Sequence, residues 1–360
     1  MEHLIAEQWF VDLPQWLLLA IAAIGITTLV FGADWIVDSA SGLAMRWGVP
    51  QVIVGATVVS LGTTSPECAV SVMAAWSGEP GLALGNAVGS IIADTALIFG
   101  ICCTLTTLPA DRFVLNRQGW VQLGSGALLA ALCYGSYAGQ GDQASLARPI
   151  GFLLLVLLGG YLLLSTRWSR QHPHGSPFQT PDSVAGSPMT PRPEESQRHR
   201  HVAVLLLKLL AGLTVVILSS RVLICDVSVL AGRWGVPQVV IAATLVAVGT
   251  SLPELVVGLT SIVKGHMELL VGNVIGADIL NVLFVVGASA AAAELPIVEN
   301  GDRIFLYLHL PTMLAVLVLL RLFMGSAIKH GRFQRWQGVP LLVFYAAYVA
   351  GQFLVTRGRA

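Results

Sequence analysis

The sequence predicts an all-α polytopic membrane protein, with ten transmembrane helices in two inverted five-helix repeats. Three observations carry this expectation. Of the 360 residues, 55% are hydrophobic and only 11% charged, whereas soluble domains carry about 25% charged residues. Apolar runs long enough to cross a bilayer recur from residue 16 to residue 356. The second half of the chain also repeats landmarks of the first at one fixed spacing.

The ten spans are read at about 14–45, 50–76, 82–107, 119–138, 149–168, 202–232, 237–263, 268–291, 304–323 and 337–356. Unbroken runs such as FLLLVLLGGYLLL (152–164) exclude a transmembrane barrel, whose strands alternate in short segments. The first and sixth spans exceed a bilayer's thickness, so they tilt or project from it. Residues 169–201, rich in Pro, Ser, His and Arg, read as a flexible cytoplasmic linker with no core of its own. It separates a first repeat, 1–168, from a second, 202–360. Net charge is zero, and nothing suggests nucleic acid. The start of the chain, MEHLIAEQWFVDLP, is acidic and does not read as a cleavable signal peptide. The five cysteines, Cys68, Cys102, Cys103, Cys133 and Cys225, lie in apolar runs without metal-ligand spacing and read as packing residues.

RWGVPQV occurs at 46–52 and at 233–239, GNAVG begins at 85 and GNVIG at 272, and Glu67 matches Glu254, each pair 187 residues apart. One offset for three landmarks means duplication. With an odd number of spans per copy, the second copy enters the membrane upside down. Such inverted repeats characterise secondary transporters, whose sites lie at the repeat interface near mid-depth. Placing the N-terminus outside puts Arg46, Arg112, Arg117, the linker, Lys264, Lys329, Arg332 and Arg335 inside, as the positive-inside rule prefers. Arg357 and Arg359 run against it.

GTTSPE (62–67) and GTSLPE (249–254) place a glutamate behind a proline inside an apolar span, once per repeat. Proline removes a helical hydrogen bond, so Gly62–Pro66 and Gly249–Pro253 are expected to be unwound. Freed carbonyls at membrane depth must meet protein, water or an ion. Downstream, Asn86, Ser90 and Asp94 form one helical stripe, matched by Asn273, Ala277 and Asn281. Gly85 and Gly89, with Gly272 and Gly276, read as small-xxx-small packing pairs. The candidate ligands are Glu67, Glu254, Asp94, Asn281, Thr63, Thr64, Thr250, Ser251 and Ser90, without Cys or His nearby. An all-oxygen set suits Ca²⁺, Na⁺, Mg²⁺ or H⁺. Two facing glutamates could chelate Ca²⁺, and Na⁺ or protons would have to replace it on the return, because carboxylates do not stay ionised and unpaired in a bilayer. No cofactor, catalytic residue or obligate protein partner is expected beyond the lipid bilayer and the transported ions.

At these motifs the chain closely resembles the Ca²⁺/cation antiporter (CaCA) superfamily, in particular prokaryotic sodium/calcium exchangers, whose two repeats contain G-T-S-x-P-E followed by G-N-x-x-G-S-N-I. The matching regions are about 32–107 and 219–292. The resemblance implies ten helices, alternating access by sliding of the first and sixth spans, and residence in a bacterial inner (plasma) membrane. It implies Ca²⁺ binding by Glu67 and Glu254. Thr63, Thr64, Thr250 and Ser251 would line the Ca²⁺ and Na⁺ sites, and the main-chain oxygens of Ser60 and Ala247 would contribute. The chain departs from the pattern at several positions. Asp94 and Asn281 exchange the family's usual Asn and Asp between repeats, Ala277 replaces a Na⁺-binding serine, Thr64 replaces a serine, and Ile91 and Asp278 replace asparagines. The coupling ion is therefore left open between Na⁺ and H⁺.

Asp34, Asp38, Arg221 and Asp226 fall in the two long spans, where they either form ion pairs near helix ends or line an entrance. The linker histidines His172, His174, His199 and His201 read as part of a solvated low-complexity segment, and Trp9, Trp16, Trp168 and Trp336 as belt residues. Two other functions fit the chain less well. A channel would build its filter from several subunits. An intramembrane protease is suggested only by GQGD (139–142), which reads more simply as a turn.

Overall fold

The computed structural model describes residues 8–77, 80–171, 195–234, 251–298 and 303–357. After a short turn, Gln8–Val11, the first half comprises α1 (Gln15–Trp47), α2 (Gln51–Thr63), α3 (Ser65–Trp76), α4 (Pro80–Ile92), α5 (Phe99–Leu105), α6 (Arg112–Gln140), β1 (Ser145–Leu146) and α7 (Arg148–Gln171). The second comprises α8 (Glu195–Arg233), α9 (Leu252–Val263), α10 (Met267–Leu280), α11 (Gly287–Ala292), β2 (Leu295–Pro296), α12 (Leu310–His330) and α13 (Gly338–Arg357). Wider π turns interrupt the helices at Gly55–Val59, Ala93–Ile98, Asn281–Val286 and Phe305–His309.

Among the described residues, seven helices are long and apolar enough to cross a membrane, and the bent pair α2–α3 makes up to eight. α6 has the length, at 29 residues, but carries a more polar face. Only the end of the predicted seventh span, as α9, lies within the described residues. Helix α8 begins at Glu195, so the last residues assigned to the linker are helical. The exposed tryptophans Trp9, Trp16 and Trp336 fit a lipid-facing surface, where exposed apolar side chains cost nothing.

The expected unwinding at the first motif is a sharp bend. α2 and α3 meet at 42° across the single residue Thr64 (φ −82°, ψ −7°). Pro66 has no N–H for the carbonyl of Gly62, which ends the helix, yet neighbouring bonds persist. Thr64 N donates to Ser60 O at 2.8 Å and Cys68 N to Thr64 O at 3.1 Å. Local turn bonds therefore absorb most of the disruption.

The 187-residue offset reappears in the elements. α3 (65–76) and α9 (252–263) have identical bounds under it. It also reappears in contacts that exchange halves. Ile297 N donates to Ala144 O at 2.8 Å, and Ala110 N donates to Gly331 O at 3.2 Å. Shifting each residue by the offset turns one bond into the other. The β1–β2 pair Ser145↔Pro296 likewise becomes the isolated bridge Pro109↔Arg332. A Cβ on Gly338 would lie 2.4 Å from Gly100 O, and one on Gly151 2.7 Å from Gly287 O. Each half thus packs its last long helix against the middle of the other half.

Backbones touch where α10 crosses α2. A Cβ on Gly272 would meet Val52 O at 2.0 Å, and one on Gly276 would meet Ala56 Cα and Ser60 Oγ at 2.5 Å. This bears out the packing role expected of those glycines. Around Gly85 and Gly89 the described residues leave a Cβ open space, and the offset counterpart of Val52 is Val239, outside the described residues.

Candidate cation-binding site

Proline at the second position of α3 and of α9 starts each helix, and each carries its glutamate in the first turn: Glu67 and Glu254. Asp94 and Asn281, matched by the offset, stand at the start of the π turns after α4 and α10, as the second residue of the one and the first of the other. The extra residue of a π turn rotates the helix downstream, so these side chains are set by the turn and not by a simple α-helical stripe.

Glu67, Glu254, Asp94 and Asn281 are all buried, at no more than 2% exposure. The charges of Glu254 and Asp94 act on Glu67, and that of Glu254 also acts on Asp94. Thr63 lies beside Glu254, and Ser251 beside Asp94. Asn86, by contrast, is engaged in packing: its amide donates to Ser71 Oγ at 3.0 Å and Glu67 O at 3.4 Å. Thr63 Oγ1 donates to Ser60 O at 3.4 Å. Thr250 and Ala247 lie outside the described residues.

The unsatisfied oxygens define the chemistry. Both carboxylate oxygens of Glu67, one each of Glu254 and Asp94, the amide oxygen of Asn281, and the hydroxyls of Ser60, Thr64, Ser90 and Ser251 are buried without a hydrogen-bond partner. Buried polar atoms are almost always paired. Carboxylate and amide oxygens left unpaired, beside hydroxyls that can turn their own lone pairs inward, are what a hard cation satisfies. Among the described residues no three His, Cys, Asp or Glu side chains converge tightly enough to hold a metal by themselves. A cation here therefore draws on hydroxyl and amide oxygens as well as the carboxylates.

A small, partly open cleft is lined by Pro66, Glu67, Ser220, Arg221 and Pro253, and Arg221 acts on the Glu67 charge. Arg221 thus lines this cleft, whereas the aspartates of the first span form ion pairs. Lys264 Nζ reaches Asp38 at 2.7 Å and Asp34 at 3.4 Å, and Lys208 reaches Asp38 at 3.3 Å. Asp226 is buried with neither oxygen paired. Among the described residues no cysteine forms a disulfide. Asp142 of GQGD sits in an exposed turn, as its sequence reads, and pairs with Arg303 at 2.9 Å.

The family model of the sodium/calcium exchanger protein matches residues 17–167 and again 204–354. The chain belongs to that family. It is a family of membrane exchangers, not of enzymes, and the chain is an integral multi-pass membrane protein. The sodium/calcium exchanger MaX1 of Methanosarcina acetivorans is 28% identical over 354 residues, spanning 93% of this chain and 98% of the relative. The inner membrane protein YrbG of Escherichia coli is 32% identical over 271 residues, 75% and 78% of the two chains. Structures of the sodium-calcium exchanger NCX_Mj align with TM-score 0.73 at 25% identity, covering 93% of this chain and 98% of that one. Asp278 was missed as a buried polar centre, because the motif presents it only as a departure from asparagine.

Proposed function

We propose that this exchanger is a secondary active antiporter that moves Ca²⁺ in one direction and Na⁺ or H⁺ in the other by alternating access. Ten spans form two inverted five-helix repeats, 1–168 and 202–360, joined by a cytoplasmic linker at 169–201, with the N-terminus outside. The half-exchanging bonds Ile297–Ala144 and Ala110–Gly331 support a two-fold relation between repeats, and an odd number of spans per repeat makes that relation an inversion.

The observation that carries the proposal is the cluster of buried, partnerless oxygens around Glu67 and Glu254. These two carboxylates bind Ca²⁺, with Asp94, Asn281, Thr63, Thr64, Thr250, Ser251 and Ser90 and the main-chain oxygens of Ser60 and Ala247 completing the shells of the exchanged ions. Ca²⁺ takes 6–8 oxygens, more than two carboxylates supply. The ions are cargo, and no cofactor takes part. The name of the Methanosarcina relative supports Na⁺ as the counter-ion. A second coupling, to H⁺, is favoured by Asp94 in the first repeat and by Ala277, which lacks a hydroxyl.

The test is ⁴⁵Ca²⁺ flux in proteoliposomes under an imposed Na⁺ or H⁺ gradient, one at a time. Uptake driven by a counter-ion gradient is the expected result. Ca²⁺ flux independent of both gradients would indicate a channel and overturn the proposal.

A further inference from the structure

Arg321 lies on α12, inside the predicted ninth span, and belongs to no motif of either repeat. Its guanidinium stacks on the exposed ring of Trp120 of α6, with Cζ 4.5 Å from the ring centre. Its Nε is buried without a hydrogen-bond partner, and none of the salt bridges among the described residues includes it. The two helices meet closely here. A Cβ on Gly119 would lie 2.6 Å from Met324 Sδ and 3.7 Å from Arg321 Cδ. The start of α6 thus stands beside the end of α12, and Phe333 N donates to Leu108 O at 2.8 Å just beyond them.

Further cations surround this junction. Arg112 and Arg117 come from α6, Lys329 from α12, and Arg332 and Arg335 from the turn after it. Arg117 lies over its own neighbour Phe113, 3.5 Å from the ring centre. Neither helix nor that turn contains an Asp or Glu. Asp111, just before α6, serves as its cap and accepts Val114 N at 2.7 Å.

We propose that the junction of α6 and α12 binds the headgroup phosphate of an anionic phospholipid. The positive-inside preference accounts for Arg112, Lys329, Arg332 and Arg335, which are exposed outside the apolar segments. It does not account for Arg321, which starts about 12 Å deeper along α12 than Lys329. A guanidinium presents five N–H donors. The face of Trp120 attracts its charge but supplies no oxygen acceptor. A charge at membrane depth takes a partner, and no carboxylate of these elements is there to serve. Trp120 and Leu322, on either side of Arg321, are exposed and apolar, so this surface fits lipid. Phosphate is the anion that lipid itself brings, and its oxygens match a guanidinium two at a time. The surrounding cations favour a headgroup of net negative charge over a zwitterionic one, whose ammonium they repel. The acyl chains then lie along Trp120 and Leu322. None of this chemistry depends on the transport reading, so each can fail without the other.

Native mass spectrometry of the purified full chain, titrated with phosphatidylglycerol or with phosphatidylcholine of the same acyl chains, tests the site. Wild type should retain phosphatidylglycerol about tenfold better or more, as several cations near one headgroup imply. R321Q should lose most of that preference. R167Q, which removes an exposed arginine of α7, should keep it. K329Q/R332Q alters only exposed side chains, so it remains readable even if R321Q fails to fold, and it should weaken the preference several-fold. Phosphatidylglycerol should also raise the melting temperature of wild type more than that of R321Q. Equal retention of the two lipids by wild type, or an unchanged preference in R321Q or in K329Q/R332Q, would overturn the proposal. Displacement of the lipid by millimolar inorganic phosphate would overturn it too, by showing a site for a soluble anion.

Discussion

Gly272→Ala puts one methyl group where α10 crosses α2. The added Cβ would lie 2.0 Å from Val52 O, 2.7 Å from Val52 C and 2.9 Å from Val52 Cα. All three are backbone atoms, so no side chain can swing away. To restore ordinary contact, the two helices must part by roughly 1 Å or more, and a gap of that size forfeits a quarter to a half of the dispersion energy along the crossing. Overpacking costs typically about 1–3 kcal/mol, and an unyielding backbone puts this case at the upper end. The separation also moves Ser60, whose Oγ stands at the neighbouring Gly276 contact. The assay is thermal unfolding of detergent-solubilised protein beside ⁴⁵Ca²⁺ exchange. Gly159→Ala serves as the control: that glycine is exposed on α7 and its Cβ meets nothing within 4 Å, so replacing it in a helix should be neutral or stabilising by up to about 1 kcal/mol. G272A should melt lower than wild type and lose exchange. Equal stability of G272A and wild type would refute the account of the crossing.

Asp94→Asn should leave Ca²⁺ binding within about tenfold of wild type, roughly 1.4 kcal/mol, but change the dependence of Ca²⁺ efflux on Na⁺ or on pH; unchanged dependence on both removes Asp94 from coupling. Lys264→Gln frees Asp34 and leaves Asp38 to Lys208 at partly exposed bridges, so it should cost about 1 kcal/mol or less, an effect that shrinks in high salt when unfolding is followed at two ionic strengths. His266, in the turn before α10, bonds to Ser41 Oγ at 3.2 Å, and burial holds its imidazole below the ordinary value although Asp38 pulls the other way. The folded state thus binds this proton more weakly than the unfolded chain. Stability should be full above the ordinary pKa of about 6.5 and fall as pH drops below it. His266→Gln should flatten that slope in a pH series of melting temperatures.

Much of the architecture is legible in the chain because bilayers demand long apolar helices and duplication repeats its landmarks. The span read at 268–291 is observed as 267–292, and α3 and α9 begin where the prolines require. The bend at Thr64 was expected as an unwound segment, since proline's missing donor is visible in sequence while the compensating Thr64–Ser60 and Cys68–Thr64 bonds are not. The π turns at Gly55–Val59 and Asn281–Val286 answer to tertiary packing against α10 and α7, which leaves no local periodicity. Asp278 shows the same limit. Its partners Thr95 and Gln122 are 183 and 156 residues away, and only the fold joins them. The buried oxygens of Glu67, Glu254 and Asp94 were legible because three carboxylates in apolar spans have few physical alternatives to a cation.

Direct binding of Ca²⁺ to purified protein tests that conclusion most plainly. Wild type should bind the ion, and Glu67→Gln and Glu254→Gln should each weaken binding by about 100-fold or more, the equivalent of losing a charged interaction of ~3 kcal/mol, while remaining folded by size-exclusion chromatography. Wild-type affinity in either variant would mean that the paired glutamates do not hold the ion.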